Sequence, residues 1–321
     1  MSEREILRGL ICACAQTLAS ATRSGNCSAQ DVREIATTAL KRVQRVADEA
    51  EWRSAGPMEF RSAVHSAFQI ISRRYENKSA SPGLATGFTR LDELTSGFMS
   101  GDLIVLASEP CAGKSSLAAQ ITAHHALQEK QPVCVFSMKR SATEYALRMV
   151  AAVGSVDRQH LCDGGILEEE WPGITDAVTR LADAKIVIDA TPTQTTESLR
   201  ARMRATQRWL DSQPKLAVID SLEQMDKPDL AADMRSIARE FEAAVLVLAQ
   251  TRGAVNAHTR LRDAALEDHA DVILLLDRDQ TNNGESARLV VARNRNGRRG
   301  EVKLRYFPKF ARFEEAPNNE R

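Results

Sequence analysis

Six short apolar runs do most to limit what this chain can fold into. They lie at residues 103–107, 133–137, 185–188, 216–219, 245–249 and 272–276, most of them separated by segments of helix length. An apolar run with no polar alternation suits a strand covered on both faces, and strands alternating with helices point to a parallel α/β sheet. The end of the chain differs. Runs at 287–292 and 301–307 bracket Asn296, Gly297, Arg298, Arg299 and Gly300, which predicts an antiparallel hairpin appended to the sheet.

The first part of the chain reads as helical. Ile6, Leu7, Leu10, Ile11, Cys14 and Leu18 form a stripe at helical period. Ser28 with Asp31 suits a capping box opening a helix to about residue 49, and Pro57 suits the start of another. In that last helix Phe60, Val64, Phe68 and Ile71 recur at i, i+4, i+8 and i+11, giving one apolar face. The face could close a small bundle or dock on another subunit. Residues 79–83 read as a linker. The expected organisation is a helical region over 1–78, with a linker helix at about 57–76, an α/β domain over 83–315 and a tail at 316–321. A chain of 321 residues can hold one large core plus a smaller appendage.

The first apolar run leads into Ser108, Glu109, Pro110, Cys111, Ala112, Gly113, Lys114, Ser115 and Ser116, and then into a helical pattern over 114–127. A strand, a turn carrying Gly-Lys-Ser and a helix make a phosphate-binding layout. Backbone N–H groups and the helix dipole face the anion, the lysine adds a mobile charge, and the serine can ligate Mg²⁺. Ser108 stands where the full pattern has its first glycine. The run at 216–219 ends in Asp220, the type of residue that holds Mg²⁺ or its water in phosphate-loop enzymes. The run at 245–249 ends in Gln250, an amide that could sense a γ-phosphate.

Charge offers no shortcut to a partner. The chain carries 43 basic and 43 acidic residues, so nucleic-acid binding would need a local basic surface. No apolar run is long enough to span a bilayer and the N-terminus lacks a signal-peptide pattern, so the expected location is cytoplasmic. Six scattered cysteines, with only Cys12 and Cys14 closely spaced, read as reduced thiols.

Several segments, in order, resemble one family. They are Gly83 to Asp92 followed by Ser96, Gly97 and Phe98; Pro110 to Ser116; Val135, Phe136, Ser137 and Met138; Ile219, Asp220, Ser221 and Leu222; Leu261 and Arg262 with Ala270 and Asp271; and Arg293, Asn294, Arg295, Asn296 and Gly297. Together they resemble the ATPase domain of DnaB-type replicative DNA helicases, in which the first glycine of the phosphate loop is also usually absent. The resemblance implies a RecA-like P-loop core with a mainly parallel sheet and a C-terminal antiparallel hairpin. It also implies a homo-oligomeric ring, hexameric, with ATP bound between subunits, and 5′–3′ movement along single-stranded DNA in replication with other replication proteins. Carried over, Pro110, Cys111, Ala112, Gly113, Lys114, Ser115 and Ser116 would cradle the phosphates of ATP. Lys114 would contact the β- and γ-phosphates, Ser115 and Asp220 would serve Mg²⁺, and Gln250 would be the γ-phosphate sensor. Arg295, with Arg293 beside it, would be an arginine finger acting on a neighbour's site.

Three departures stand out. The family has a glutamate where Lys139 stands, two residues after Ser137, and that glutamate polarises the attacking water. A lysine cannot be that base at neutral pH unless strongly desolvated. Glu109, Glu144 and Glu223 are the nearby acids. Lys139 therefore leaves two expectations open: an ATP-driven helicase or translocase, or a hydrolysis-deficient ring or partner subunit that regulates a helicase. The segments after Asp220 and Gln250 are also short for DNA-contacting loops, though Lys227, Arg252, Arg260 and Arg262 there could follow a phosphate backbone. Finally, the helical region is short for the family's N-terminal domain.

Overall fold

The computed structural model describes residues 59–76, 82–225, 230–253, 255, 259, 261–279 and 285–317. The expected helices before residue 59, most of the linker, Lys227 and Arg260 lie outside the described residues. The chain divides into two compact units, Met1–Asn77 and Lys78–Arg321. In the first, helix α1 (Phe60–Glu76) forms where the apolar spacing predicts it. Its Phe60, Val64, Phe68 and Ile71 are exposed.

The second unit begins with α2 (Thr89–Thr95) and then alternates. Strand β1 (Leu103–Ser108) is followed by α3 (Lys114–Leu127), β2 (Val133–Ser137), α4 (Ala142–Gly154), α5 (Arg158–Asp163), α6 (Trp171–Ala182) and β3 (Ile186–Asp189). Next come α7 (Thr196–Leu210), β4 (Leu216–Asp220), α8 (Leu230–Glu240), β5 (Ala244–Gln250), α9 (Ala264–His269) and β6 (Val272–Arg278). The chain closes with β7 (Ser286–Asn294), β8 (Gly300–Phe307) and β9 (Arg312–Glu315).

Among the described residues these strands form one sheet in the order β3-β2-β4-β5-β1-β6-β7-β8-β9. Neighbours from β3 to β6 are parallel, and β7 to β9 continue the sheet antiparallel. The expected fold class is therefore observed, and most strands run one or two residues beyond the apolar runs. β3 starts at Ile186 rather than Lys185, and β9 has no counterpart in the sequence pattern. A four-residue strand with a single apolar side chain, Phe313, carries too little pattern to read; pairing with β8 makes it a strand.

Strand residues alternate between two cores. Ile104 and Leu106 pack with Leu117, Ile121, Tyr145 and Met149 of α3 and α4, while Leu103 and Val105 pack with Leu199, Met234 and Ile237 of α7 and α8. Burial on both faces explains the unbroken apolar runs. In β8, by contrast, Val302, Leu304 and Tyr306 are buried and their neighbours exposed, as expected for a strand covered on one face.

Candidate nucleotide site and its opposite edge

Parallel strands bring their C-terminal ends to one edge. Register aligns Ser108 with Gln250 and Ser137 with Asp220, and the Met138 N–H donates to the Asp220 carbonyl at 2.8 Å. The ends of β1, β5, β4 and β2 thus stand in a row, the place where open α/β sheets bind ligands.

Beyond β1 the chain turns through Pro110 and Cys111 into Gly113, the N-cap of α3. Gly113 has φ +109°, and a Cβ there would lie 2.7 Å from the Phe313 ring. Only glycine fits both demands. No side chain caps this end and no acid lies in the first turn, so backbone N–H groups remain for an anion. Lys114 Nζ donates to the Ser108 carbonyl (3.1 Å), Ser108 Oγ (2.9 Å) and the Glu109 carbonyl (3.1 Å). Ser108, where a glycine could have stood, therefore anchors the lysine. Burial lowers the Lys114 pKa and Lys139 adds to that, while Glu223 and Asp220 oppose it.

Asp220 is only 4% exposed, and its Oδ2 has no hydrogen-bond partner among the described residues. A buried carboxylate oxygen without a partner is costly. It fits a group that brings a cation or its water, and with the Ser115 hydroxyl in the first turn of α3 it could hold Mg²⁺. Among the described residues no cluster of three or more His, Cys, Asp or Glu could hold a metal. The remaining ligands would have to be water and phosphate oxygens, as Mg²⁺ prefers.

Two arginines join this edge that the sequence pattern did not single out. Arg148 of α4 is 7% exposed and its Nη1 donates to Ser116 Oγ at 2.5 Å. Arg278 Nη2 donates to the Cys111 carbonyl at 2.6 Å, with the guanidinium 4.5 Å from the Tyr306 ring centroid. A signal for Arg148 existed, because it falls on the apolar stripe of α4 between Tyr145, Met149 and Ala152. Arg278 offered none, being an ordinary strand-end cation until the fold sets it beside the loop.

Lys139, just past β2, pairs with Glu223, just past β4, at 3.1 Å. Glu144 is committed elsewhere: its carboxylate accepts from the Ser141 N–H at 2.8 Å and completes a capping box on α4. Past β5, Arg252 Nη2 donates to the Arg262 carbonyl at 3.3 Å, and the Arg262 N–H donates to the Gln250 carbonyl at 2.8 Å. Arg252 and Arg262 therefore flank the same edge as Gln250.

Arg293 and Arg295 do not. They follow β7, which runs antiparallel, so Asn294 pairs with Val272 at the start of β6. This is the N-terminal edge of the sheet, about 20 Å from the phosphate loop by strand rise. Arg293 Nη1 donates to the Glu267 carbonyl. Arg295 Nη1 lies 3.3 Å from Asp271 Oδ1, and its Nη2 donates to the Asp268 carbonyl at 3.4 Å.

The DnaB-like helicase C terminal domain family matches residues 83–315. The chain belongs to the DnaB-like helicase family. Among its relatives, the replicative DNA helicase DnaC of Bacillus subtilis (strain 168) is 27% identical over 338 aligned positions, covering 98% of this chain and 73% of that protein. The replicative DNA helicase DnaB of Treponema pallidum (strain Nichols) is 31% identical over 79% of this chain and 60% of its own. Among solved structures, one ATPase domain superposes with a TM-score of 0.71 at 21% identity, over 79% of this chain and 99% of that one. A DnaB-like replicative helicase studied for its interactions with primase gives 0.68 at 20% identity, over 88% of this chain and 78% of that one. These structures share the RecA-like fold. For a DnaB-like helicase the notable feature here is Lys139 with its partner Glu223.

Proposed function

We propose that this chain is an ATP-driven DNA helicase or translocase of the replicative kind. It would work in the cytoplasm as one subunit of a hexameric ring, on single-stranded DNA, alongside other replication proteins. The observation that carries the reading is the gathering of Lys114, Ser115, Asp220 and Gln250 at one sheet edge while Arg293 and Arg295 stand at the other. A single subunit cannot bring both edges to one nucleotide; adjacent subunits in a ring can.

In this reading the first-turn N–H groups of α3 and the Lys114 ammonium hold the β- and γ-phosphates of ATP. Ser115 and Asp220 would hold Mg²⁺, whose chemistry when bound would be to neutralise phosphate charge. Gln250 would face the γ-phosphate, with Arg252 two residues on and the Arg262 N–H donating to its carbonyl. With Lys227 and Arg260, those cations would follow DNA phosphates without reading bases. Arg295 of one subunit, with Arg293, would serve the site of the next.

Lys139 favours a second reading, a nucleotide-holding ring or partner subunit that regulates a helicase without hydrolysing ATP. Steady-state phosphate release, with and without single-stranded DNA, separates the two. Turnover that rises with DNA is expected. Tight ATP binding with no phosphate release would select the second reading.

A further inference from the structure

Lys139 removes a carboxylate from the end of β2, yet the site keeps one. Glu223 Oε2 lies 3.1 Å from Lys139 Nζ, within hydrogen-bond reach of the side chain that replaces the glutamate. The two come from strand ends held together by the Ser137–Asp220 register and by the Met138 N–H on the Asp220 carbonyl. Residues 222–224 form a single 3-10 turn directly after β4, which places Glu223 just past the end of that strand.

Of the other acids near this edge, Glu144 closes the α4 capping box. Glu109 touches Lys114 through its backbone carbonyl, so its carboxylate is the rival that the Glu223 variants exclude or leave standing. Of the charges acting on Lys114, Glu223 is the strongest, ahead of Asp220. The Glu223 side chain is 25% exposed, so it is neither sealed in the core nor loose in solvent.

We propose that Glu223 is the catalytic carboxylate of this chain, and that Lys139 is the positioning residue that holds it toward the phosphate loop. The acid has changed strands but kept its place at the mouth of the site. The proposal rests on the ATPase reading above. A water O–H proton passes to the Glu223 carboxylate as the water oxygen bonds to the γ-phosphorus. The bond from that phosphorus to the β–γ bridging oxygen breaks, and its electron pair leaves on ADP. Inorganic phosphate departs, and Glu223 returns the proton to solvent. Burial pulls the Glu223 pKa upward, but hydrogen bonding and the Lys139 charge outweigh it. The group is thus ionised at neutral pH, as a proton acceptor must be.

The test compares Glu223→Gln with Lys139→Met in the full chain, measuring phosphate release with single-stranded DNA and binding of a fluorescent non-hydrolysable ATP analogue. Glu223→Gln is expected to lower kcat about 10²-fold or more, the usual worth of a positioned base, with analogue affinity within about threefold of wild type. Lys139→Met, which keeps the carboxylate but frees it, should lower kcat by about threefold to tenfold, less than Glu223→Gln does, and an undiminished kcat would overturn the positioning role. Glu223→Gln with kcat within tenfold of wild type would overturn the proposal. Equal losses in the two variants would also overturn it, because a pair that only braces the turn fails alike from either side. Should the glutamine variant not fold, Glu223→Asp draws the carboxylate back by one methylene. Its turnover should fall at least tenfold with binding unchanged, and undiminished turnover would overturn the proposal. A wild type that binds the analogue but releases no phosphate defeats the ATPase reading and this role with it. A wild type that turns over as fast as Glu223→Gln defeats only this role.

Discussion

At the C-terminal edge of the sheet Lys114 is held by two carbonyls and a hydroxyl, and Asp220 Oδ2 by no partner among the described residues. At the N-terminal edge, Asp271 accepts from Arg235 at 3.0 Å and the Leu103 N–H at 3.0 Å, and pairs with Arg295 at 3.3 Å. One edge gives Lys114 only uncharged hydrogen-bond partners and leaves Asp220 Oδ2 with none among the described residues, which costs stability and suits a charged ligand. The other is knitted, and its paired charges join the starts of β1 and β6. Arg295 is the exception there, since its side chain is 37% exposed and can leave its partners. On the proposed ring assembly the difference has a reason, since a site shared between copies would need both edges, one for phosphate and the other for a neighbour.

The largest expected effect tests that division directly. If Arg295 is the arginine finger proposed above, Arg295→Ala should lower turnover about 10³-fold or more, with nucleotide binding retained. Mixing it with Lys114→Ala should restore part of the activity, because mixed boundaries then pair an intact loop with an intact finger. No recovery in mixed assemblies would break the comparison, placing both residues in one subunit's site or Arg295 outside it.

A smaller effect is expected at the loop alone. Lys114→Ala should weaken Mg-ATP binding at least tenfold, because a charge-assisted phosphate contact is worth roughly 1.5–3 kcal/mol. Superimposable titrations of variant and wild type would mean that the C-terminal edge does not hold the phosphates.

The smallest concerns the knitted edge. Burial, then the Asp271 charge, pushes the Asp102 carboxyl up from 3.8 to about 6, though Asn296 donates to it at 3.2 Å. A raised folded-state pKa means that the folded protein prefers the protonated acid. Stability is therefore lost as pH rises from 3.8 to about 6, and the cost is complete above that. Asp102→Asn should recover about 1 kcal/mol at pH 7, after discounting for solvent screening, and nothing below about pH 4. Denaturant unfolding at the two pH values measures it; a gain independent of pH would assign the effect to packing instead.

How much could be read without the fold depended on how local the cause was. The runs at 103–107, 133–137 and 272–276 became β1, β2 and the start of β6, because a strand covered on both faces must be apolar throughout. Gly113, Lys114 and Ser115 were legible for a similar reason, as a strand–loop–helix turn shows within a dozen residues what it can bind. β9 was not legible, since its place comes from β8 and from Phe313 packing under Gly113.

The sequence by itself determined the sheet's inner strands, the phosphate loop and the identity of the strand-end residues Asp220 and Gln250. Each follows from side chains adjacent in the chain or spaced at a helical or strand period. Only the tertiary structure decided that Arg295 stands at the far edge from Lys114, because antiparallel β7 reverses direction beside β6. It alone decided that Glu223 meets Lys139, 84 residues away. That meeting depends on β2 and β4 becoming neighbours in register, a consequence of how helices cover the sheet and not of any pattern within either segment.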